Sequence, residues 1–226
     1  NRDVIKYTAM FTMLLNHFAH VFLEPGTTLC AVFTAAGFFT APVMTYFLVE
    51  GYGYTRSKKK YFQRLLLFAI LSEIPYYYAL GFGNLNMLFT LSICFLIICV
   101  HKNVENPALR TGAKVLLVFA SLFCDWALLA PVYTLFFLWA EGDRKKTAIA
   151  YGFATGIFAA LLLAESVMEG LTGLSLAAHL LYASGVAAAG VCIVCFYNGK
   201  RMERGRTFSK WFFYCFYPAH LLVLGI

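Results

Sequence analysis

The sequence predicts an all-α integral membrane protein, a polytopic bundle of about nine transmembrane segments with a cytoplasmic N-terminus and an external C-terminus. Composition is the first reason: 61% of the 226 residues are hydrophobic and 13% are charged, with a mean hydropathy of +0.72. Water-soluble domains average about half apolar and a quarter charged residues, and a chain of this size buries only about three-quarters of its surface. These values exclude a soluble enzyme, a disordered chain and a disulfide scaffold.

Long apolar runs are the second reason, because a helix needs roughly 17–25 such residues to cross the hydrocarbon core. The stretch 109–140 is too long for one crossing and carries Asp125 in its middle and Pro131 shortly after. We therefore expect two short helices that turn at Asp125, although 113–124 is short enough to be re-entrant. No repeat or linker divides the chain, so residues 1–226 are expected to form a single domain. The remaining candidate segments are 7–23, 29–50, 61–80, 85–100, 147–164, 174–197 and 211–226.

Basic residues supply the third reason and set the orientation. All 18 Lys and Arg residues lie before or between the apolar cores, within 2–6, 56–64, 102–114, 144–146 and 200–210. If 109–140 is a hairpin, every one falls on the same side, which the positive-inside rule assigns to the cytoplasm. The net charge of +7 is then an orientation signal, and we expect no nucleic-acid partner.

Histidines are the most informative polar residues inside the apolar runs. His17, His20 and Glu24 are spaced i, i+3, i+7 and therefore share one face of the first helix. Ionisable residues at membrane depth are costly and usually face the bundle interior or a water-filled cavity. His17 is accordingly either a catalytic imidazole or a packing histidine bonded to a carbonyl. His220, in the apolar run FYPAHLLVLG, is the second candidate, whereas His20 and His179 are expected at the membrane interface.

No metal site is predicted. The spacings H-x-x-x-H and H-E-x-x-H are absent. Cys192 and Cys195 form a C-x-x-C, but it lies in the middle of the apolar run VCIVCF. We expect these two thiols to pack as small apolar groups and not to form a zinc or redox pair.

A basic segment on the predicted inner side points to a different chemistry. Lys58, Lys59 and Lys60 lead directly into a helix, and Arg64 follows one turn later. Side-chain charge and free backbone amides at a helix start together make a good anion site. The alternative, which the residues alone favour, is a topogenic loop that binds the headgroups of anionic membrane lipids. Glu50 is then a helix-end carboxylate or a partner for the lysines.

Several stretches resemble the TraX family, named for the membrane N-acetylase of conjugative pilin. DVIKYTAMFTMLLNHF resembles the family's opening I-K-x-x-A-x-x-x-M-x-x-D-H, and PVMTYFLVEGYGYTRSKKKYFQRLLLFAILSEIPY is similar to its V-E-G…T…K-K-Y…R-L…E-I-P block. NMLFTL, the CDWALLAP turn and the ending KWFFYCFYPAHLLVLG also resemble family segments. Together these stretches cover most of the chain in order.

The resemblance implies a multi-pass acyltransferase of the bacterial cytoplasmic membrane that uses acetyl-CoA as acyl donor. It assigns His17 to the family's D-H histidine and His220 to the C-terminal F-Y-x-x-H histidine. Two positions depart from the pattern, because Asn16 replaces the acid before the histidine and Phe38 stands where an Arg is frequent. The residues that fall on the V-E-G…K-K-Y…R block are Glu50, Lys59, Lys60, Tyr61 and Arg64.

The favoured hypothesis is a membrane-embedded N- or O-acetyltransferase. His17 is expected to act as general base, with Asn16 orienting it or donating to the developing oxyanion; a transient acetyl-imidazole is the alternative route. The acetyl-CoA phosphates are expected on Lys58, Lys59, Lys60 and Arg64, with the loop 200–206 as a further candidate. The acceptor stays open between a pilin-like N-terminus, a cell-envelope sugar and a small molecule.

A transporter or channel-like protein without chemistry is the rival hypothesis. Transporters often combine broken helices with internal pseudo-symmetry. The sequence offers a break between Asp125 and Pro131 but no matching second half, which weakens this alternative.

Overall fold

The computed structural model describes residues 1–81 and 83–226, and this part of the chain is built from helices without β-strands. A single 3-10 turn at Ser121–Phe123 and a π-helical turn at Cys192–Phe196 accompany the α-helices. The predicted all-α class is therefore confirmed. The α-helices are α1 (Arg2–Phe22), α2 (Thr28–Gly37), α3 (Thr40–Tyr54), α4 (Lys58–Leu80), α5 (Met87–Asn103), α6 (Pro107–Ala120), α7 (Leu129–Trp139), α8 (Arg144–Met168), α9 (Gly173–Leu181), α10 (Ala183–Val191) and α11 (Arg206–Leu224).

Three helical stretches of the described chain are long and apolar enough to cross a membrane: Thr28–Tyr54, Arg144–Met168 and Gly173–Phe196. Met87–Asn103 and Leu129–Trp139 are shorter apolar helices. Helix α6 lies at the periphery, with no buried residue and with large apolar side chains such as Leu116 and Phe119 exposed. Such a surface suits contact with lipid. The count of nine segments and the orientation of the termini stay predictions.

Two of these stretches stay continuous, as expected, but carry a short irregularity in their helical hydrogen bonding, at residues 38–39 between α2 and α3 and at Tyr182 between α9 and α10, where the backbone angles remain helical. Both irregularities lie where helices approach closely. A Cβ atom on Gly37 would lie 2.2 Å from the Cβ of Asn16 in α1, and one on Gly185 would lie 2.1 Å from the carbonyl oxygen of Ala35 in α2. Hydropathy reports the length of an apolar run but not these contacts, so the run lengths alone did not predict the irregularities.

The break expected at Asp125 is confirmed as a turn between α6 and α7. The backbone N–H of Leu85 donates to the carbonyl of Phe123 (2.8 Å), and the N–H of Asp125 donates back to the carbonyl of Leu85 (2.7 Å). Trp126 and Leu128 have positive φ angles of 54° and 61°, a strained conformation for such bulky residues. The turn is therefore held in place by its surroundings, as non-helical backbone inside a helical bundle must be.

The core lies where α3, α5 and α7 meet, with α1 and α11 packed beside them. Its largest fully buried side chains are aromatic and include Phe47, Phe95, Tyr133 and Phe137. Tyr133 donates its hydroxyl proton to the carbonyl of Ala154 in α8 (3.0 Å). This packed centre fixes α1, α3, α5 and α11, which surround the two cavities described next.

Candidate functional site

A cavity of about 480 Å³ lies among α1, α3, α4, α5 and α11 and is closed on one side by the 121–128 turn. We call it the histidine cavity, because His17 and His20 line it. His17 is buried, whereas His20 is exposed, so His20 marks a mouth of the cavity. The other polar side chains of its lining are Asn16, Thr40, Tyr76, Asp125, Trp126 and Tyr217.

The two histidines that the sequence singled out meet at this cavity. Nδ1 of His17 on α1 lies 2.7 Å from Nε2 of His220 on α11, and the two rings are parallel, with an interplanar angle of 4°. Nδ1 of His220 lies 2.8 Å from the carbonyl oxygen of Phe216, one turn earlier in the same helix. Two residues that lie 203 positions apart in the sequence thus belong to one continuous series of hydrogen bonds.

This series of hydrogen bonds fixes where the protons are in the uncharged pair. A carbonyl oxygen only accepts, so Nδ1 of His220 must carry the proton that it donates to Phe216. The Nε2 atom of His220 is then an acceptor, and Nδ1 of His17 donates to it. The free lone pair falls on Nε2 of His17, which has no hydrogen-bond partner within residues 1–81 and 83–226. His17 therefore presents a base, and His220 orients it.

Asn16 and Phe38, the two departures from the family pattern, both line the histidine cavity. The Asn16 side-chain NH₂ donates to the carbonyl of Thr34 (3.2 Å) and ties α1 to α2. The Phe38 ring packs against Trp126 and Phe158, with centroids 5.7 Å and 4.9 Å away. In this structure Asn16 is a helix-to-helix contact and makes no hydrogen bond to His17.

Asp125 also lines the histidine cavity. Its Oδ1 accepts from the N–H of Trp126 (2.9 Å), and the Thr90 hydroxyl donates to its backbone carbonyl. The sequence indicated Asp125 as a helix break and as an ionisable residue at membrane depth. Such groups usually face the bundle interior or a cavity, and the lining position of Asp125 agrees with that expectation.

A second cavity of about 230 Å³ lies at the other end of the bundle, and we call it the cationic cavity. Arg2 and Lys6 of α1 and Arg64 of α4 form its deeper part, while Arg201 and Lys210 lie at its exposed rim. Asp3 is its one acidic lining residue among those described, and its carboxylate already accepts from the N–H of Met202 (2.7 Å). The sequence treated Arg2 and Lys6 as orientation signals only.

Several of these cations lack a complete set of partners. In the part of the chain that the structure describes, the Nε atoms of Arg2 and Arg64 are buried without a hydrogen-bond partner. The Arg2 guanidinium forms a 3.5 Å ion pair with Glu50, and that of Arg64 interacts with the Tyr214 hydroxyl. Lys6 lies over the ring of Phe213, 5.1 Å from its centroid. Burial, followed by the positive charge of Arg2, lowers the pKa of the exposed-loop Arg201 below its ordinary value. Crowded, underpaired cations of this kind favour an anionic ligand.

The residues predicted for the acyl donor divide into two groups. Tyr61 and Arg64 line the cationic cavity. Lys58 donates to the carbonyls of Tyr52 and Thr55 (2.7 Å to Thr55) and so ties down the end of α3.

The other predicted donor residues lie outside the lining of both cavities. Lys59 and Lys60 are exposed. Glu50 accepts from the Tyr197 hydroxyl (2.5 Å) and pairs with Arg2. The cations that line a cavity are therefore not those of the 58–60 segment. They are Arg2 and Lys6 of α1, Arg64 further along α4, Arg201 of the loop before α11 and Lys210 of α11.

The two cavities share a wall. Met44, Leu88, Leu91 and Phe213 line both of them. Lys6 in one cavity and His17 in the other lie on the same helix, about 16 Å apart along its axis.

Comparisons with known proteins agree with these features. The model of the TraX family, described as "TraX protein", matches residues 1–226. A protein of Dichelobacter nodosus named "Probable fimbrial assembly protein FimC, serogroup H1" is 30% identical, and the match covers 97% of this chain and 92% of that protein. No solved structure matches the chain significantly. Because the family model matches the whole chain, this protein belongs to the TraX family.

Proposed function

We propose that this protein is a membrane-embedded acetyltransferase that moves an acetyl group from acetyl-CoA to an amine or hydroxyl acceptor. The observation that carries the proposal is the hydrogen-bonded chain from Phe216 through His220 to His17, which leaves a basic nitrogen in a cavity. Acyl transfer needs such a base, because the acceptor must lose a proton as it attacks.

His17 is the general base of the proposed reaction. Its Nε2 removes the proton from the acceptor while Nδ1 keeps its hydrogen bond to His220. The positive charge that His17 then acquires is stabilised by the Nε2 lone pair of His220. The same proton is returned to the departing thiolate of coenzyme A, so no net proton is gained or lost. An acetylated His17 is the alternative route, and it uses the same nitrogen.

Acetyl-CoA is proposed to enter through the cationic cavity. The unpaired Nε atoms of Arg2 and Arg64, together with Lys6, Arg201 and Lys210, suit the phosphates of coenzyme A, because guanidinium groups bind phosphate with paired hydrogen bonds. Lys59 and Lys60 contribute long-range attraction only. The apolar wall of Met44, Leu88, Leu91 and Phe213 then accommodates the uncharged pantetheine arm.

The proposed location is the bacterial cytoplasmic membrane, with the cationic cavity facing the cytoplasm, where acetyl-CoA is made. This orientation rests on the sequence prediction that 109–140 forms a hairpin, which would put all basic residues on one side. Reporter fusions at 51–60, 141–146 and 198–210 should report the inside, and fusions at 24–28 and 165–173 the outside. Finding 141–146 outside would contradict the orientation.

A fimbrial subunit is the first acceptor to test, because the relative from Dichelobacter nodosus carries the name of a fimbrial assembly protein. The exposed His20 at the mouth of the histidine cavity leaves room for a polymer end to enter. Three test acceptors represent the amine and hydroxyl chemistries: a peptide with a free N-terminus, an envelope sugar and a small amine.

The direct experiment incubates purified protein in lipid nanodiscs with acetyl-labelled acetyl-CoA and each acceptor. We expect transfer to one acceptor or, without an acceptor, slow hydrolysis or self-acetylation. A protein that binds no acetyl-CoA and releases no coenzyme A would contradict the proposal and favour the transporter.

A further inference from the structure

Tyr217 is a buried side chain of the histidine cavity whose hydroxyl serves no visible purpose in the fold. The residue is 4% exposed and lies three positions before His220 on α11. Among the described residues, its hydroxyl makes no hydrogen bond of ordinary geometry. A buried, unpaired hydroxyl costs free energy, so a native fold that keeps one calls for an explanation.

The position of Tyr217 relates it to the proposed base. Its ring meets His17 edge-on, with ring centroids 6.3 Å apart, and meets His220 in the same way at 5.6 Å. Its hydroxyl lies beside the backbone N–H of Met87, the first residue of α5, and an N–H at that position has no partner within its own helix. The Tyr217 oxygen faces this N–H as an acceptor, which leaves its O–H proton to donate, and both residues line the histidine cavity.

Two carboxylates lie near Tyr217 without taking its proton. Glu73 and Asp125 are close enough to interact with it electrostatically, but neither accepts a hydrogen bond from its hydroxyl. Oε2 of Glu73 accepts from the side chain of Asn86 (2.6 Å), and Oδ1 of Asp125 accepts from the backbone of Trp126 (2.9 Å). The Tyr217 proton is therefore available to a ligand.

We propose that Tyr217 is a catalytic residue whose hydroxyl donates a hydrogen bond to the carbonyl oxygen of the acetyl thioester. This proposal rests on the acetyltransferase function. As the acceptor attacks the carbonyl carbon, the carbonyl electron pair moves onto that oxygen, and the acceptor's proton moves to Nε2 of His17. The carbonyl then re-forms, the carbon–sulfur bond breaks, and the thiolate of coenzyme A takes the proton from His17. Tyr217 stabilises the negative oxygen in between, as oxyanion donors do.

The test uses binding first, so that it does not depend on turnover. Two analogues serve as probes: a carba analogue of acetyl-CoA, in which a methylene replaces the thioester sulfur, and S-ethyl-CoA, in which a methylene replaces the carbonyl. The wild-type protein should prefer the carbonyl analogue by about threefold to tenfold, the size of one neutral hydrogen bond. Tyr217→Phe should bind both analogues equally.

A matched control is Tyr151→Phe, because Tyr151 is 3% exposed, lines neither cavity and donates to the carbonyl of Pro42 (3.3 Å). This variant should keep the carbonyl preference but melt at a lower temperature. Tyr217→Phe loses only the contact of its oxygen with the Met87 N–H, so it should melt close to the wild-type temperature, and it should transfer acetyl groups about a hundredfold more slowly.

Each outcome of the binding test is decisive. If Tyr217→Phe keeps the carbonyl preference and near-normal turnover, the role of Tyr217 is overturned while the acetyltransferase function stands. If the wild-type protein binds neither analogue, both proposals are overturned. If Tyr217→Phe loses the carbonyl preference while the wild type and Tyr151→Phe keep it, the result supports both the acetyltransferase function and the role of Tyr217.

Discussion

The histidine cavity and the cationic cavity differ in how their polar groups are held. In the first, a single nitrogen of His17 is aimed by two successive hydrogen bonds through His220 and Phe216. In the second, five cations on four parts of the chain surround one space, and the Nε atoms of two of them lack a hydrogen-bond partner among the described residues. The first arrangement suits a reaction, which needs one atom in one place. The second suits the capture of a charged group, to which many positions contribute.

This difference predicts opposite responses to mutation. Substitutions in the histidine cavity should lower the rate of acetyl transfer by a large factor. Changes in the cationic cavity should act on the affinity for acetyl-CoA and be partial. They should depend on salt most strongly at the exposed rim, because exposed charges are screened within about 10 Å at 0.1 M and buried ones much less.

The largest effect is expected for His17→Gln. Glutamine keeps a hydrogen-bonding side chain but takes no proton at neutral pH, so the rate of acetyl transfer should fall about a hundredfold to ten-thousandfold. A rate assay with saturating acetyl-CoA measures this loss. Turnover close to the wild-type value would remove His17 from the mechanism and leave His220 as the candidate base.

His220→Leu should have the next largest effect. It leaves Nδ1–H of His17 without its acceptor, and an unsatisfied buried donor costs about 1–3 kcal/mol, or about fivefold to a hundredfold in rate. His220→Gln is the matched control, because its side-chain oxygen is able to accept from His17 and should recover part of the rate. Equal losses in both variants would show that His220 does more than orient His17.

Arg64→Gln should weaken acetyl-CoA binding by about tenfold, the effect of losing one charge-assisted hydrogen bond. Isothermal titration at two salt concentrations tests this, and the loss should shrink at the higher one. Lys59→Gln is the control, since Lys59 is an exposed cation of the same helix outside the cavity. Equal losses for the two variants would return the donor site to the 58–60 segment.

The smallest effect on acetyl-CoA affinity is expected for Lys58→Gln. This side chain caps the end of α3 through the carbonyls of Tyr52 and Thr55, so its loss should lower thermal stability by about 1 kcal/mol. The acetyl-CoA dissociation constant should change less than twofold. A larger change with unaltered melting would place Lys58 in the donor site.

The sequence alone predicted the class of fold well, because apolar runs and basic gaps are local patterns. The turn at Asp125 was predictable for the same reason: a carboxylate inside an apolar run, followed by Pro131, disfavours a continuous helix. The irregularities after α2 and before α10 were not, because they coincide with close approaches at Gly37 and Gly185 that involve other helices.

The site was predictable only in part. Each histidine was visible as a costly polar residue in an apolar run, but no local pattern states that His17 and His220 touch. Likewise, the sequence indicated Arg2 and Lys6 only as orientation signals. The packing of α1 against α4 and α11 brings them to the same cavity as Arg64 and Lys210. Long-range packing determines the site, and packing is what a single sequence conceals.

The division of labour between the two cavities is tested most directly by measuring two quantities on the same two variants. For His17→Gln and Arg64→Gln, acetyl-CoA affinity and the single-turnover rate of acetyl transfer at saturating donor are compared with the wild type. We expect a crossed pattern: His17→Gln binds acetyl-CoA normally and loses at least about a hundredfold in rate, whereas Arg64→Gln loses mainly affinity. Loss of the same quantity in both variants would contradict separate sites for chemistry and for donor binding.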